Sequence, residues 1–216
     1  MIDFSSISFT KAIKTAKVRE LKTTPGLFNY KLNDKSRFTL SIGNRVLSSE
    51  VDDTGSIPIF SANVYEEFGK INKQNITDFS SPSVIWGIDG DWMVNYIDKN
   101  HPFYPTDHCG VLRIHCTDIL PQYFALALQV EGEYEKFSRS NRASTQRIKS
   151  LTIQVPDLNI QKKILNMMKK FAEDIHFDKM KVSDIDKKSR KILVDYIGEI
   201  CQEDSTLEKM LRIFNF

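Results

Sequence analysis

The sequence predicts an α+β protein: a mixed α/β globular domain with short strands, followed by a long coiled-coil-type helix. Short apolar runs separated by Gly, Pro, Asn and Asp fill residues 38–156, a pattern typical of strands joined by turns. A stretch with helical spacing interrupts these runs, and a long amphipathic stretch follows Pro156. At 216 residues with 41% hydrophobic content, the chain can bury a substantial core.

Six apolar runs are predicted as strands, and one stretch is predicted as a helix within the globular domain. The predicted strands span residues 38–42, 57–60, 83–88, 92–97, 110–114 and 151–155. The predicted helix spans residues 120–137, where Pro121 suits a first-turn position because its fixed φ matches that of a helix.

A second, longer helix is predicted from Pro156 to about Cys201. With Ile164 placed at a heptad d position, eight of eleven core positions are apolar, a coiled-coil-like stripe broken at Asp178, Ser189 and Glu199. A helix of about 40 residues is roughly 60 Å long and cannot bury its stripe against itself, so we expect a partner helix from another copy or another chain. Two shorter helices broken near Asp178 and folded back on the domain are an alternative. The apolar stripe residues are Ile164, Met168, Phe171, Ile175, Val182, Ile185, Ile192 and Tyr196.

The chain is therefore predicted to have four segments. Residues 1–37 are polar, basic and weakly periodic, and are predicted to form an arm. Residues 38–156 form the globular domain, residues 157–200 the long helix, and residues 201–216 a tail.

Charge is distributed unevenly along the chain. The formal net charge is only +2, but residues 1–37 carry eight Lys or Arg against three acids, and residues 136–149 carry five against none. Local positive patches bind phosphate even when the whole chain is nearly neutral.

Cysteine use and hydropathy bear on location. The three cysteines, Cys109, Cys116 and Cys201, are too few for a disulfide framework and indicate reduced thiols. No apolar run approaches the roughly 20 residues that span a bilayer, and the first residues lack a signal-peptide pattern. We expect a cytoplasmic protein.

Motifs for catalysis are absent from the sequence. It contains no glycine-rich turn with an Asp/Asn-Pro-Pro-aromatic loop, no phosphate-binding GxxxxGK[ST] loop and no G-x-S-x-G serine motif. The histidines and cysteines between His101 and Cys116 lack the pair spacing of zinc ligands. We expect no catalytic residue, no metal site and no cofactor bound by this chain.

Three segments are candidates for contact with nucleic acid, because Arg and Lys neutralise phosphates while Asn, Gln and Arg read base edges. The first is the basic run 137–149. The second comprises residues 61–65 and 68–74, and the third is the turn 87–92, where Trp92 can stack on a base. A solvated basic loop and a core tryptophan are the alternatives. The candidate residues are Asn63, Tyr65, Lys70, Lys73, Gln74, Trp92, Arg139, Asn141, Arg142, Gln146 and Arg147.

Six short stretches between residues 38 and 200 occur in a characteristic order. They are IPIFSANV at 57–64, GKI at 69–71, SVIWG at 83–87, residues 108–112, VPDL at 155–158 and QKKI at 161–164. No single piece is diagnostic, but their order and spacing are together specific. With the long helix that follows, they resemble the target recognition domain of the specificity (S) subunit of type I restriction-modification systems, and the likeness covers about residues 38–200.

The resemblance implies a non-catalytic subunit that reads one half of a bipartite DNA site. It implies as partners double-stranded DNA, an adenine methyltransferase subunit that binds S-adenosylmethionine, and a translocating nuclease subunit. The usual S subunit has two recognition domains and two spacer helices, whereas this chain has one of each. A half-subunit acting as a homodimer through the long helix, a truncated copy and a piece of a fused methyltransferase remain open. The rival hypothesis is an interaction protein that docks through the helix without reading DNA.

Overall fold

The computed structural model describes residues 26–178, in which nine strands, three helices and a 3₁₀ turn at Ser48–Glu50 are present. The strands are β1 Leu27–Lys31, β2 Phe38–Ile42, β3 Ile57–Phe60, β4 Gly69–Ile71, β5 Ser83–Gly87, β6 Val94–Ile97, β7 Tyr104–Pro105, β8 Cys109–Ile114 and β9 Thr152–Pro156. The helices are α1 Pro121–Tyr134, α2 Thr145–Lys149 and α3 Leu158–Asp178. The mixed α/β class predicted from the sequence is confirmed for this part of the chain.

The strands form three small sheets. The largest has the order β2-β8-β5-β6 and is antiparallel throughout. The second has the order β4-β3-β7, with β3 and β7 parallel, and the third pairs β1 with β9. All six predicted strands are present, whereas β1, β4, β7 and α2 were not predicted. Strands β4 and β7 have only 3 and 2 residues, and the short helix α2 has only 5, so none of these three shows a period in the sequence.

Strand β5 is buried at every position because apolar layers cover both its faces. Side chains alternate across a strand, so Val84 and Trp86 join the core cluster that includes α1, whereas Ile85 joins a second cluster with Val111 and Phe103. This two-sided burial explains why the strand reads as a continuous apolar run rather than an alternating one.

Residues 27–37 belong to the globular fold, so the arm predicted over residues 1–37 is wrong for this part. Tyr30 lies opposite Ile153 in the β1–β9 pair, and Leu32 is 1% exposed. The pairing strand lies far along the chain, which is why the local sequence did not reveal it. Residues 1–25 lie outside the described residues.

Asp118 anchors β1 and the turn that follows it. Its Oδ2 accepts a hydrogen bond from the Tyr30 hydroxyl at 2.6 Å, and both carboxylate oxygens accept from Arg37 Nη1 at 3.3 and 3.1 Å. The bond from Tyr30, with those from Cys116 and Arg37, lowers the pKa of Asp118 to about 2. Burial, together with the Asp118 carboxylate, raises the pKa of Tyr30 to about 12.

Helix α3 is docked on the domain through Gln161, whose side chain is fully buried. Its Oε1 accepts from the Leu120 N–H at 2.8 Å, and its Nε2 donates to the carbonyls of Asp118 and Pro156 at 2.9 and 2.8 Å. One amide therefore joins the start of α1, the end of β9 and the first turn of α3.

The first stripe residues of the long helix lie in the core of this chain. Ile164 and Met168 are 0% exposed and belong to the same cluster as α1, so the prediction that they contact a partner helix is wrong. Apolar residues at i and i+4 serve a coiled coil and a helix packed on its own domain equally well. Phe171 and Ile175 lie in α3, but their side chains are outside the described part, as are Val182, Ile185, Ile192 and Tyr196 entirely.

None of the helices within residues 26–178 is both long and apolar enough to cross a bilayer. The predicted cytoplasmic location stays a prediction.

Replacing Gln161 by Leu should lower the free energy of unfolding by about 2–4 kcal/mol. The substitution leaves one buried N–H and two carbonyls without their partner, and each unsatisfied group costs about 1–3 kcal/mol before relaxation. Urea unfolding measures this. Gln122→Leu, on a half-buried position of α1, is the matched control and should change stability by less than about 0.5 kcal/mol. Equal effects of the two variants would contradict the assigned role.

Replacing Asp118 by Asn should reduce the sensitivity of stability to acid. A carboxyl whose pKa is lower in the folded than in the unfolded chain stabilises the fold above its ordinary pKa, and this contribution is lost as pH falls from about 4 to about 2. Because Asp118 is half exposed, solvent screening limits the contribution to about 1 kcal/mol. Unfolding followed between pH 2 and 7 checks this, with exposed Asp53→Asn as control. A parallel decline of wild type and Asp118→Asn would contradict it.

Candidate nucleic-acid interface

Several loops meet at one edge of the fold because of how the strands pair. Strands β5 and β8 are antiparallel with Gly87 opposite Cys109, so the end of β5 lies beside the start of β8. Strands β3 and β7 are parallel with Phe60 opposite Pro105, so both end on the same side. We call the surface formed by residues 61–65, 87–91, 106–108 and 138–147 the loop edge.

Hydrogen bonds join these segments in series. The Thr106 hydroxyl donates to Ser61 Oγ at 3.1 Å and accepts from the His108 N–H at 3.2 Å. The Ile88 N–H donates to the carbonyl of His108 at 3.0 Å, and the Ala143 N–H donates to the carbonyl of Ile88 at 2.9 Å. Segments that the sequence suggested separately as candidates are thus parts of one surface.

Gly87 allows two of the loops to touch. A Cβ at this position would lie 2.2 Å from the carbonyl oxygen of Ala62, closer than any side chain tolerates. Gly90, three residues on, has φ +104°, in the region that favours glycine. The two glycines therefore set the close approach and the turn that present Asp89 at the loop edge.

Asp89 is the central carboxylate of the loop edge. It accepts from His108 Nδ1 at 2.8 and 3.0 Å and lies 3.9 Å from Arg142 Nη2. The Asp89 side chain is 19% exposed, whereas those of His108 and Arg142 are 51% and 66% exposed. The acid is thus recessed, and the two basic groups it contacts face solvent.

The residues of the basic run divide into outward and inward ones. The Arg147 guanidinium donates to Asn141 Oδ1 and to the Arg142 carbonyl at 3.0 Å, and lies 4.8 Å from the centre of the Phe137 ring. Asn141 Nδ2 donates to the carbonyls of Glu135 and Lys136, each at 3.0 Å. Arg147 and Asn141 therefore frame the segment internally. The predicted residues left exposed by this frame are Arg139, Arg142 and Gln146.

Trp92 is buried, so its prediction as a base-stacking residue is wrong. It is 2% exposed, its indole N–H donates to the carbonyl of Gln129 at 2.8 Å, and its ring packs 5.0 Å from that of Phe137. A Cβ at Gly132 of α1 would lie 2.1 Å from the same ring, which shows how closely the helix covers it. The large apolar indole is buried in the core and is not displayed on the surface of the turn.

The two lysines predicted as DNA contacts in the second segment, residues 61–65 and 68–74, have acidic neighbours in the structure. Asn63 is exposed and its Oδ1 accepts from the Tyr65 N–H at 2.9 Å, which fixes the turn after β3. Lys70 lies 3.9 Å from Glu67, and Lys73 forms an ion pair with Glu50. Neighbouring carboxylates therefore balance both lysines, whereas Gln74 is exposed. Of this set, Asn63 and Tyr65 lie on the loop edge.

The sequence reasoning missed two basic residues near the loop edge, Arg45 and His108. The N–H groups of Gly43 and Asn44 donate to the carbonyls of Thr106 and Pro105, each at 3.2 Å, so the segment after β2 borders the loop edge, and Arg45 is exposed there. Arg45 lies shortly after the predicted strand 38–42, and a basic residue at such a position could have been predicted to contact DNA. His108 is among the possible metal ligands in the sequence and in the stretch 108–112 that carries the resemblance, but not among the predicted contacts to DNA. Within residues 26–178 no three His, Cys, Asp or Glu side chains are grouped as metal ligands.

Comparison with known proteins identifies the family. Residues 30–184 match the family model described as the type I restriction modification DNA specificity domain, which is more than half of the chain. The chain belongs to this family. Among curated proteins, it is similar to two putative type I specificity subunits of Mycoplasma pneumoniae. S.MpnORF507P is 27% identical over 124 residues, which is 56% of this chain and 34% of that protein. S.MpnORF89P is 29% identical over 100 residues, which is 44% of this chain and 29% of that protein.

Two solved structures show the same fold. The S subunit of a type I restriction-modification system from M. genitalium has a TM-score of 0.55 at 20% identity, covering 82% of this chain and 46% of that one. A chain from a study of complex assembly and conformational transition of the type I R-M system has a TM-score of 0.53 at 12% identity, covering 94% and 50%. The specificity-domain chain described here thus spans about a third to a half of these relatives. Its family favours DNA recognition over the rival hypothesis of a scaffold that reads no DNA.

Arg147 and Arg139 of this specificity domain should differ in how much each contributes to the free energy of unfolding. Arg147→Ala removes the hydrogen bonds to Asn141 and Arg142 and the stacking on Phe137, and should lower the free energy of unfolding by about 1–2 kcal/mol. Arg139→Ala, on an exposed neighbour, is the control and should change it by less than about 0.5 kcal/mol. Thermal or urea unfolding of both variants checks the division, and an effect of Arg139→Ala as large as that of Arg147→Ala would refute it.

Proposed function

We propose that this chain recognises a specific sequence in double-stranded DNA and that the loop edge is the surface that reads it. The observation that supports this most strongly is the convergence, in a member of the DNA specificity family, of separate polar and basic segments at one edge. The chain itself is proposed to be non-catalytic.

The exposed side chains of the loop edge suit both parts of DNA recognition. Arg139 and Arg142 can neutralise phosphates or bind the paired acceptors of guanine, and Asn63 and Gln146 carry amides that match the edge of adenine. The internal frame of Arg147 and Asn141 holds the arginine segment in place, which lowers the ordering cost of binding.

The complex in which the chain acts is also a proposal. An adenine methyltransferase subunit would bind S-adenosylmethionine and carry out the chemistry, and a translocating nuclease subunit is a further partner. The chain would read one half of a bipartite site and act as a homodimer, with the long helices of two copies antiparallel. Two-fold protein symmetry would then appear in the DNA as an interrupted palindrome.

Selection of duplexes from a random pool by the full chain tests this function. We expect an enriched, interrupted palindrome. Enrichment of a single half-site would support recognition but contradict the homodimer. Equal retention of all duplexes at every salt concentration would contradict sequence recognition itself.

Substitution of the outward arginines should weaken binding. Arg142→Ala and Arg139→Ala should each lower affinity for the selected duplex, and each lost phosphate contact should reduce the slope of log affinity against log salt by roughly 1. Gel shifts at several salt concentrations measure this. Lys35→Ala serves as control. It removes an exposed charge from the turn before β2, and the start of β2 pairs with the end of β8, at the opposite end of β8 from the loop edge. An unchanged affinity and slope for both arginine variants would remove them from the interface.

A further inference from the structure

His108 occupies the middle of the loop edge, directly before β8. It is bound through its backbone to Ile88 and Thr106 and through its side chain to Asp89. Two segments that carry candidate DNA contacts therefore meet at this histidine, and Arg142 reaches the same carboxylate from a third. The spacing of His108 from other possible metal ligands did not indicate that it lies where these segments meet, and neither did the residues next to it in the sequence.

The contact with Asp89 determines which nitrogen of the ring is available. An ionised carboxylate only accepts hydrogen bonds, so Nδ1 carries a proton. Within the described residues no hydrogen bond uses Nε2, and the charged atom that faces it is Asp107 Oδ1 at 3.9 Å. Nε2 is thus an acceptor in the neutral ring and a donor in the protonated ring, on a side chain that is 51% exposed.

We propose that His108 contacts DNA through Nε2 in its protonated form, and that Asp89 is the positioning residue that holds the ring. This inference rests on the proposed function of the loop edge. The DNA atom is an acceptor, either a phosphate oxygen or the N7 or O6 of guanine. Asp89 orients both His108 and Arg142, so that one recessed acid contacts two basic side chains.

Three charged side chains surround His108. Asp89 faces it from the turn after β5, Asp107 lies beside it in its own loop, and Arg142 faces Asp89 from the basic run. Histidine changes charge between about pH 5 and 8. DNA binding should therefore strengthen as pH falls through this range, because the donor at Nε2 is present only in the protonated ring.

Affinity measurements on the full chain at pH 6 and pH 8 test the inference, using a duplex selected from a random pool by the wild-type chain and the unselected pool itself. We expect the wild type to bind the selected duplex about tenfold more tightly at pH 6 than at pH 8, the size of one charge-assisted hydrogen bond. His108→Ala and His108→Gln should abolish this ratio and lose about tenfold at pH 6. Melting curves verify that both variants are folded, and the neutral Gln keeps most of the side-chain volume.

His115→Ala is the matched control. His115 follows β8, about 20 Å from His108 along a strand of six residues, and its Nε2 lies 2.7 Å from Thr39 Oγ1. It should keep both the affinity and the pH ratio of the wild type. A ratio that falls equally in His115→Ala and His108→Ala would overturn the inference, since it would reflect overall charge.

A variant of Asp89, the comparison of selected and unselected duplexes, and a variant of Arg142 distinguish the possible results. Asp89→Ala removes the acceptor that holds Nδ1 and so releases the ring, and should shrink the pH ratio; a full ratio would overturn the positioning role. Loss of binding on both selected and unselected duplexes in the His108 variants indicates a phosphate contact, and loss on the selected duplex alone indicates guanine. An unchanged His108→Ala beside a weakened Arg142→Ala would refute the inference and leave the proposed function standing. No sequence preference in the wild type would refute the proposed function.

Discussion

The buried amide of Gln161 is the interaction on which the arrangement of the described part of the chain depends. A buried amide without partners is costly, and Gln161 meets its requirement by joining α1, β9 and α3 at a single point. Asp157 supports the same junction, because its Oδ1 accepts from the N–H groups of Asn159 and Ile160 at the first turn of α3. The helix consequently leaves the domain in a defined direction.

The direction of α3 matters for function because the helix and the loop edge share one core. Ile164 and Met168 pack with α1, and α1 packs on β5 and β6, whose connecting turn carries Asp89. The helices and strands in this chain of contacts contribute to one buried apolar cluster. If a second copy or another subunit binds the helix further along, the position of the loop edge relative to it is set by this core.

Local patterns in the sequence predicted more of the fold than of the site. Short apolar runs were sufficient for six strands and α1, because burial and turn residues leave a local trace. The β1–β9 pair leaves none, since it joins Tyr30 to Ile153 across most of the domain. The sequence identified the candidate segments but not the role of each residue in them. Arg147 and Arg142 are arginines of the same basic run, and the sequence does not distinguish them. In the structure Arg147 stacks on Phe137 within the segment, whereas Arg142 lies near Asp89 and faces solvent. Likewise, the spacing of Ile164 and Met168 did not reveal which surface they would cover.

The frame built by Arg147, Asn141 and Phe137 has a consequence for how such a domain changes over evolutionary time. It holds the basic segment through contacts within the segment and with the carbonyls of Glu135 and Lys136, which directly follow α1. The side chains at the outward positions 139, 142 and 146 take no part in these contacts, because Arg142 contributes only its backbone carbonyl. Substitution at these positions therefore changes the exposed surface and leaves the frame that supports it intact. If these positions contact DNA as proposed, a lineage under selection to recognise new DNA can change its preference by single substitutions there, each tolerated by the fold.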